Sequence, residues 1–104
     1  MHKIEIFIPL YYNDNTPIEI EKIEKTRLEL LKKFGALTGM PSNSDTALDG
    51  WWTHQGKIYR DKISTFRVDC NDFNQRFWTK YKSLLKKRFR QEEIYITRSE
   101  INTI

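Results

Sequence analysis

Residues 49–61, DGWWTHQGKIYRD, gather side chains that can do chemistry within one short stretch. His54 and Asp61 could act together, because a carboxylate that orients an imidazole beside apolar walls makes a general base. Tyr59 is a third candidate, and Trp51 and Trp52 are the walls. The competing reading is a hydrophobic hairpin with His54 solvated at its turn, since a lone histidine beside aromatics is common without catalysis. On the residues alone, the hairpin reading ranks first and no catalytic residue is assigned.

Metal chemistry would have to draw on His2, His54, Asp45, Asp49 and Asp61. None of these shows the fixed helical spacing that distinguishes metal ligands, so no metal is expected. Phosphate-cradling glycine loops, C-x-x-C, H-E-x-x-H and the G-x-S-x-G elbow are all absent from the sequence. No cofactor is expected either.

A different chemistry comes from charge. The net charge of +4 hides an asymmetry: residues 1–52 hold 6 Lys/Arg against 8 Asp/Glu, and residues 53–104 hold 12 against 6. Arg76, Lys80, Lys82, Lys86, Lys87 and Arg90 occupy the arc opposite Phe77 on an expected second helix, with no acid among them. Such a face attracts phosphates, so nucleic-acid contact is one reading. Part of it is structural, since cations near a helix C-terminus complement its dipole. The segment KISTFRVDC also lacks the aromatic signature of RNA-recognition domains.

Elements must position these residues. A chain of 104 residues supports a single two-layer core. Ile4, Ile6, Ile8 and Leu10 alternate and predict a strand, with Phe7 and Tyr11 on its other face. Thr16, Pro17 and Glu19 carry a helix-start pattern, Gly35 a left-handed stop, so a helix is expected over 17–34. Residues 36–49 read as loop. Residues 50–54, a turn at 55–57 and a return strand from Ile58 make a hairpin. The apolar phase slips between Ile63 and Phe66, which predicts a bulge near Ser64-Thr65. A second helix is capped by Asn71 or Asp72 and carries Phe73, Phe77, Trp78, Tyr81, Leu84, Leu85 and Phe89 as its core stripe. Ile94 to Thr97 is the last strand, in a single domain over 1–98 with a tail at 99–104.

This order predicts an α+β, ferredoxin-like βαββαβ fold, a four-stranded antiparallel sheet with both helices on one face. The segments FGALT (34–38), DGWW (49–52), GKIYRD (56–61) and RFRQE (88–92) resemble a family of small bacterial domains of unknown function. Those domains pair a G-L-T…G…W segment with a late R-F-x-Q-[ES]. The resemblance spans about residues 34 to 95 and implies the fold without a chemistry.

The lone Cys70 suits a reducing compartment, and the N-terminus reads as strand instead of signal or span, so cytoplasm is expected and a membrane is not. Adjacent Trp51 and Trp52 must point to opposite faces of their strand. One is expected under the helices with Phe34, Phe77 and Leu84. The other is expected beside Phe7 or Tyr11, where it serves an interface or a ligand. The functional expectation is a small homodimeric binding domain joined through the sheet face or its edge. Its alternatives are a small-molecule enzyme using His54 or Asp61 and a nucleic-acid binder using the basic arc.

Overall fold

The computed structural model describes residues 1–39 and 47–104. Strand β1 spans His2–Pro9, helix α1 Ile20–Phe34, β2 Thr38–Gly39, β3 Leu48–His54, β4 Lys57–Cys70, α2 Gln75–Arg88 and β5 Ile96–Glu100. Strand β1 lies between β4 and β5, antiparallel to both. Ile63 pairs with Pro9 of β1 on one side and Leu48 of β3 on the other. Strands β2 and β3 therefore share the far edge of β4, and the five strands fill the four positions of the ferredoxin-like sheet. The α+β expectation holds.

The alternation in β1 does what period 2 requires. Ile4, Ile6 and Ile8 are fully buried and sit opposite Val68, Phe66 and Ser64 of β4. Both helices cover this face: Ile23 and Leu30 of α1 join Trp78, Tyr81 and Leu85 of α2, with Phe89, in one core. Burying aliphatic faces of this kind is the main favourable term in folding.

Several expectations change. Helix α1 starts at Ile20, because residues 10–18 first fold back on themselves: Tyr12 N–H bonds the Thr16 carbonyl and Ile18 N–H the Leu10 carbonyl. Thr16 spends its hydroxyl and amide on Asp14 instead of capping, and the Glu19 carboxylate accepts the Tyr12 phenol. Gly35 does close the helix in the left-handed conformation, φ 79°. Helix α2 is capped by Asn74, whose side chain accepts the Phe77 N–H, and not by Asn71 or Asp72. Leu84 is exposed.

Within the expected loop, Thr38 and Gly39 pair with β4, and Leu48 and Asp49 already belong to β3; residues 40–46 lie outside the described residues. On the β1 side no bulge interrupts β4: its register with β1 runs unbroken from Ile63 to Cys70, through Ser64 and Thr65, while on the other side the described pairing passes from β3 at Ile63 to β2 at Phe66. The apolar phase slips for another reason. Residues 63–70 are faced by β1 and lie under the helices, whereas residues 57–62 pair with β3 in a projecting hairpin. The covered face differs between the two halves. The last strand is Ile96–Glu100, so Ser99 and Glu100 are paired residues and not tail. Ile94 is a buried core residue ahead of the strand.

Candidate functional site

The hairpin turns on two residues, Gln55 and Gly56, with φ of 51° and 78°. Two positive φ values make a type I′ turn, whose twist matches that of the flanking strands. His54 therefore pairs with Lys57, Trp52 with Tyr59, Trp51 with Arg60 and Gly50 with Asp61. Because side chains alternate, Trp52, His54, Tyr59 and Asp61 share the helix-free face, and Trp51 shares the helix side with Ile58 and Arg60.

On the helix-free face, Trp52 stacks on Tyr59 with centroids 4.4 Å apart. Its indole N–H donates to the Asp61 carboxylate at 2.6 Å. Tyr11, Tyr12, Asn13 and Asn15 close the other side of an open cleft of about 700 Å³. Trp52 is thus the tryptophan that shares a cleft with Tyr11, away from the helices. Phe7 lies on the same sheet face but packs against Tyr95, centroids 5.8 Å apart, and is not part of the cleft.

The expected core tryptophan is not in the pair. Trp51 is 64% exposed and Trp52 47%. The tryptophan stacked on Phe34 and packed against Phe77 is Trp78, only 5% exposed. Trp51 points to the helix side of the sheet, but the hairpin carries it beyond the helices that would cover it.

The acid/base reading fails on geometry. His54 is exposed at the hairpin's end and tilts against Trp52 at 6.4 Å, outside the cleft residues. Asp61 spends a carboxylate oxygen on Trp52 instead of orienting the imidazole. The cations beside Asp61 in sequence, Arg60 and Lys62, also line the cleft but spend their charge on Asp49, at 3.0 and 2.9 Å. Those bonds, Lys62 foremost, keep the Asp49 carboxyl below its usual range. Among the described residues no group of three or more His, Cys, Asp or Glu converges as a metal would need. His2 sits against Phe73 and Arg98, and Asp45 lies outside the described residues.

On α2, Arg76, Lys80 and Lys87 are exposed and Lys82 and Lys86 half-buried, whereas Arg90, expected on the same arc, is exposed past the helix end at Arg88, with φ 51°. The arc is less bare of acid than its sequence suggests. Glu93, from the turn after α2, pairs with Lys82 at 2.8 Å, and Arg90 lies over the Tyr12 ring at 5.0 Å. Lys82, Lys86 and Arg98 rim a second groove of about 450 Å³ between α2 and β5, lined below by Phe73, Trp78 and Ile96.

Sequence reasoning missed the best-built polar cluster. Arg88 reaches from α2 to α1, bonding Glu29 through both guanidinium nitrogens at 2.6 and 2.9 Å and Thr26 Oγ1 at 2.8 Å. Tyr81 donates to the same carboxylate at 3.0 Å. The Arg88 bonds hold the Glu29 carboxyl low, while burial pushes the Tyr81 phenol up. The RFRQE segment was the signal at hand, but nothing in it names Glu29. This cluster locks the helices together and faces neither cleft.

No family model matches the chain, and no curated protein matches it. Solved structures do. CutA1 from Pyrococcus horikoshii aligns at TM-score 0.59 and 17% identity, over 100% of this chain and 86% of that one. The divalent cation tolerance protein of Thermus thermophilus aligns at 0.63 and 15%, over 99% and 86%. A phage SAM lyase in complex with S-methyl-5'-thioadenosine aligns at 0.63 and 21%, over 95% and 80%. Identities this low establish the shared fold and nothing finer. Among the described residues no helix is long and apolar enough to cross a membrane.

Proposed function

We propose that this chain is a small self-associating binding domain, at least a homodimer, working in the cytoplasm. The observation that carries the reading is the amount of large apolar surface the fold leaves open. Trp51, Trp52, Ile58 and Tyr59 on the hairpin and Tyr95 beside Phe7 are all exposed. Patches of this kind on a small domain usually mark contacts with other molecules. The motif resemblance to small bacterial domains of unknown function fits this reading and adds no chemistry to it. Sedimentation velocity at micromolar concentration tests it: an assembly is expected, and a clean monomer at 12.6 kDa would end the proposal.

A second reading has its own support. The Tyr11–Trp52–Tyr59–Asp61 cleft has the size and mixed lining of small-molecule sites. It makes the domain a binder or an enzyme without His54. S-methyl-5'-thioadenosine, the ligand held by the phage lyase, is the natural first probe. Calorimetric binding that disappears in Tyr59→Ala would support the cleft; no heat with the folded native chain would count against this ligand there. The nucleic-acid reading keeps only the exposed Arg76, Lys80 and Lys87. It requires oligonucleotide affinity that falls steeply with salt and with charge reversal at Lys80 and Lys87.

A further inference from the structure

Among the described residues the sheet leaves open the outer sides of β3 and of β5, besides that of the two-residue β2 and the β1 side of β4 before Lys62. An open edge is a template for another strand. Hydrogen bonds fix which groups each edge presents. Phe7 N–H bonds the Tyr95 carbonyl and Ile101 N–H the Met1 carbonyl, so the odd residues of β5 face β1. The N–H and C=O groups of Ile96, Arg98 and Glu100 therefore point outward. On the other side, Leu10 N–H bonds the Lys62 carbonyl, which turns Asp61 and Ile63 of β4 toward β3. The outward groups of β3 then belong to Asp49, Trp51 and Thr53.

We propose that copies of this chain join head to tail, the free edge of β3 in one copy adding to the free edge of β5 in the next, with Trp51 seated in the groove between α2 and β5. This rests on the self-association reading above. Three observations select a second copy and this pairing. Strand directions alternate across the whole sheet, so β3 of an equally oriented copy meets β5 antiparallel and continues the sheet. That orientation keeps the helix sides together. The exposed Trp51 then faces the groove floored by Phe73, Trp78 and Ile96.

A symmetric pairing through β5 is disfavoured. Two β5 strands paired about their central residue would set Arg98 directly against its own copy, and like charges opposed across a ladder destabilise it. Head-to-tail contact also has a consequence for number. The two edges face opposite ways, so two copies cannot satisfy both, and the contacts close into a ring of three or more or run on.

The test uses prolines at outward amides, where the monomer's own ladder loses no bond. Trp51→Pro blocks the β3 edge and Arg98→Pro the β5 edge. Each variant alone is expected to sediment as a monomer with native far-UV circular dichroism. Mixed in equal amounts, they are expected to form a 1:1 complex of two chains, because each still offers one working edge. If either proline unfolds the chain, Trp51→Ala replaces it and should weaken association about tenfold or more. If the native chain assembles and these variants assemble equally well, or if the mixture stays monomeric, the pairing is wrong while self-association stands. In that case Trp52→Ala or Tyr59→Ala should dissociate it. A monomeric native chain would remove both readings together.

Discussion

The Arg88 guanidinium grips the Glu29 carboxylate through two parallel hydrogen bonds, joining residues 59 apart in sequence across the two helices. Arg88 is 10% exposed and Glu29 34%, so the pair is sheltered without being fully desolvated. Breaking a buried pair by removing one partner strands the other charge. For Glu29→Gln the expected loss, reduced for partial exposure, is about 2–3 kcal/mol. Urea unfolding with an unchanged slope measures it; a loss under about 0.5 kcal/mol would show the pair to be ornamental.

The same pair sets an acid dependence. The Glu29 carboxyl is held below its unfolded value, chiefly by its hydrogen bonds to Arg88. A depressed carboxyl contributes stability that is full above the unfolded pKa of about 4.3 and is lost as pH falls through the folded value. Unfolding free energy should therefore decline on acidification below about pH 5, and Glu29→Gln should flatten part of that decline. Parallel curves for the two proteins would contradict this.

Trp78 and Trp51 should separate by place. Trp78→Ala opens a core cavity and is expected to cost about 3–5 kcal/mol. Trp51→Ala, at an exposed site beyond the helices, should change the stability of the isolated chain by no more than about 0.5 kcal/mol. Thermal unfolding of both at a concentration where the chain is monomeric distinguishes them. An equal loss would mean that Trp51 is covered within the monomer.

Ser64 is the one buried side-chain oxygen without a hydrogen-bond partner among the described residues. It sits at the helix-covered face of β4, opposite Ile8, with no exposure. Removing an unsatisfied buried hydroxyl relieves its desolvation cost, so Ser64→Ala should stabilise the chain by about 1 kcal/mol. A clear destabilisation would reveal a partner, such as an internal water.

Much of the fold was legible because its signals are local. The alternation of Ile4, Ile6 and Ile8, the stop at Gly35 and the stripe of α2 each follow from one element's own geometry. The misreadings came from neighbours in space. Thr16 and Pro17 look like a helix start, yet Pro17 is held in a bridge with Tyr11, which postpones α1 to Ile20. The slip at Ile63–Phe66 resembles a bulge, but it records where helix cover ends above an unbroken strand. The alternation rule put Trp51 and Trp52 on opposite faces; it could not tell that the helix side is bare at that point. The tie between Glu29 and Arg88 has no periodic signature, because it depends on how two helices sit side by side.

The long strand β4 therefore lives in two environments. Residues 63–70 are clamped between β1 and the helices, whereas before Lys62, which the Leu10 N–H still holds, residues 57–61 have only β3 beside them in the sheet. Opening the second half requires disrupting the core, but opening the first requires only that the hairpin fray. Amide exchange along this single strand should fall into two regimes, with Phe66 and Val68 sharing the global unfolding energy and Tyr59 and Asp61 exchanging through a cheaper local excursion. A partner strand against β3 would raise the second group toward the first. The hairpin's exchange rate thus reports on its company, and the core's rate does not.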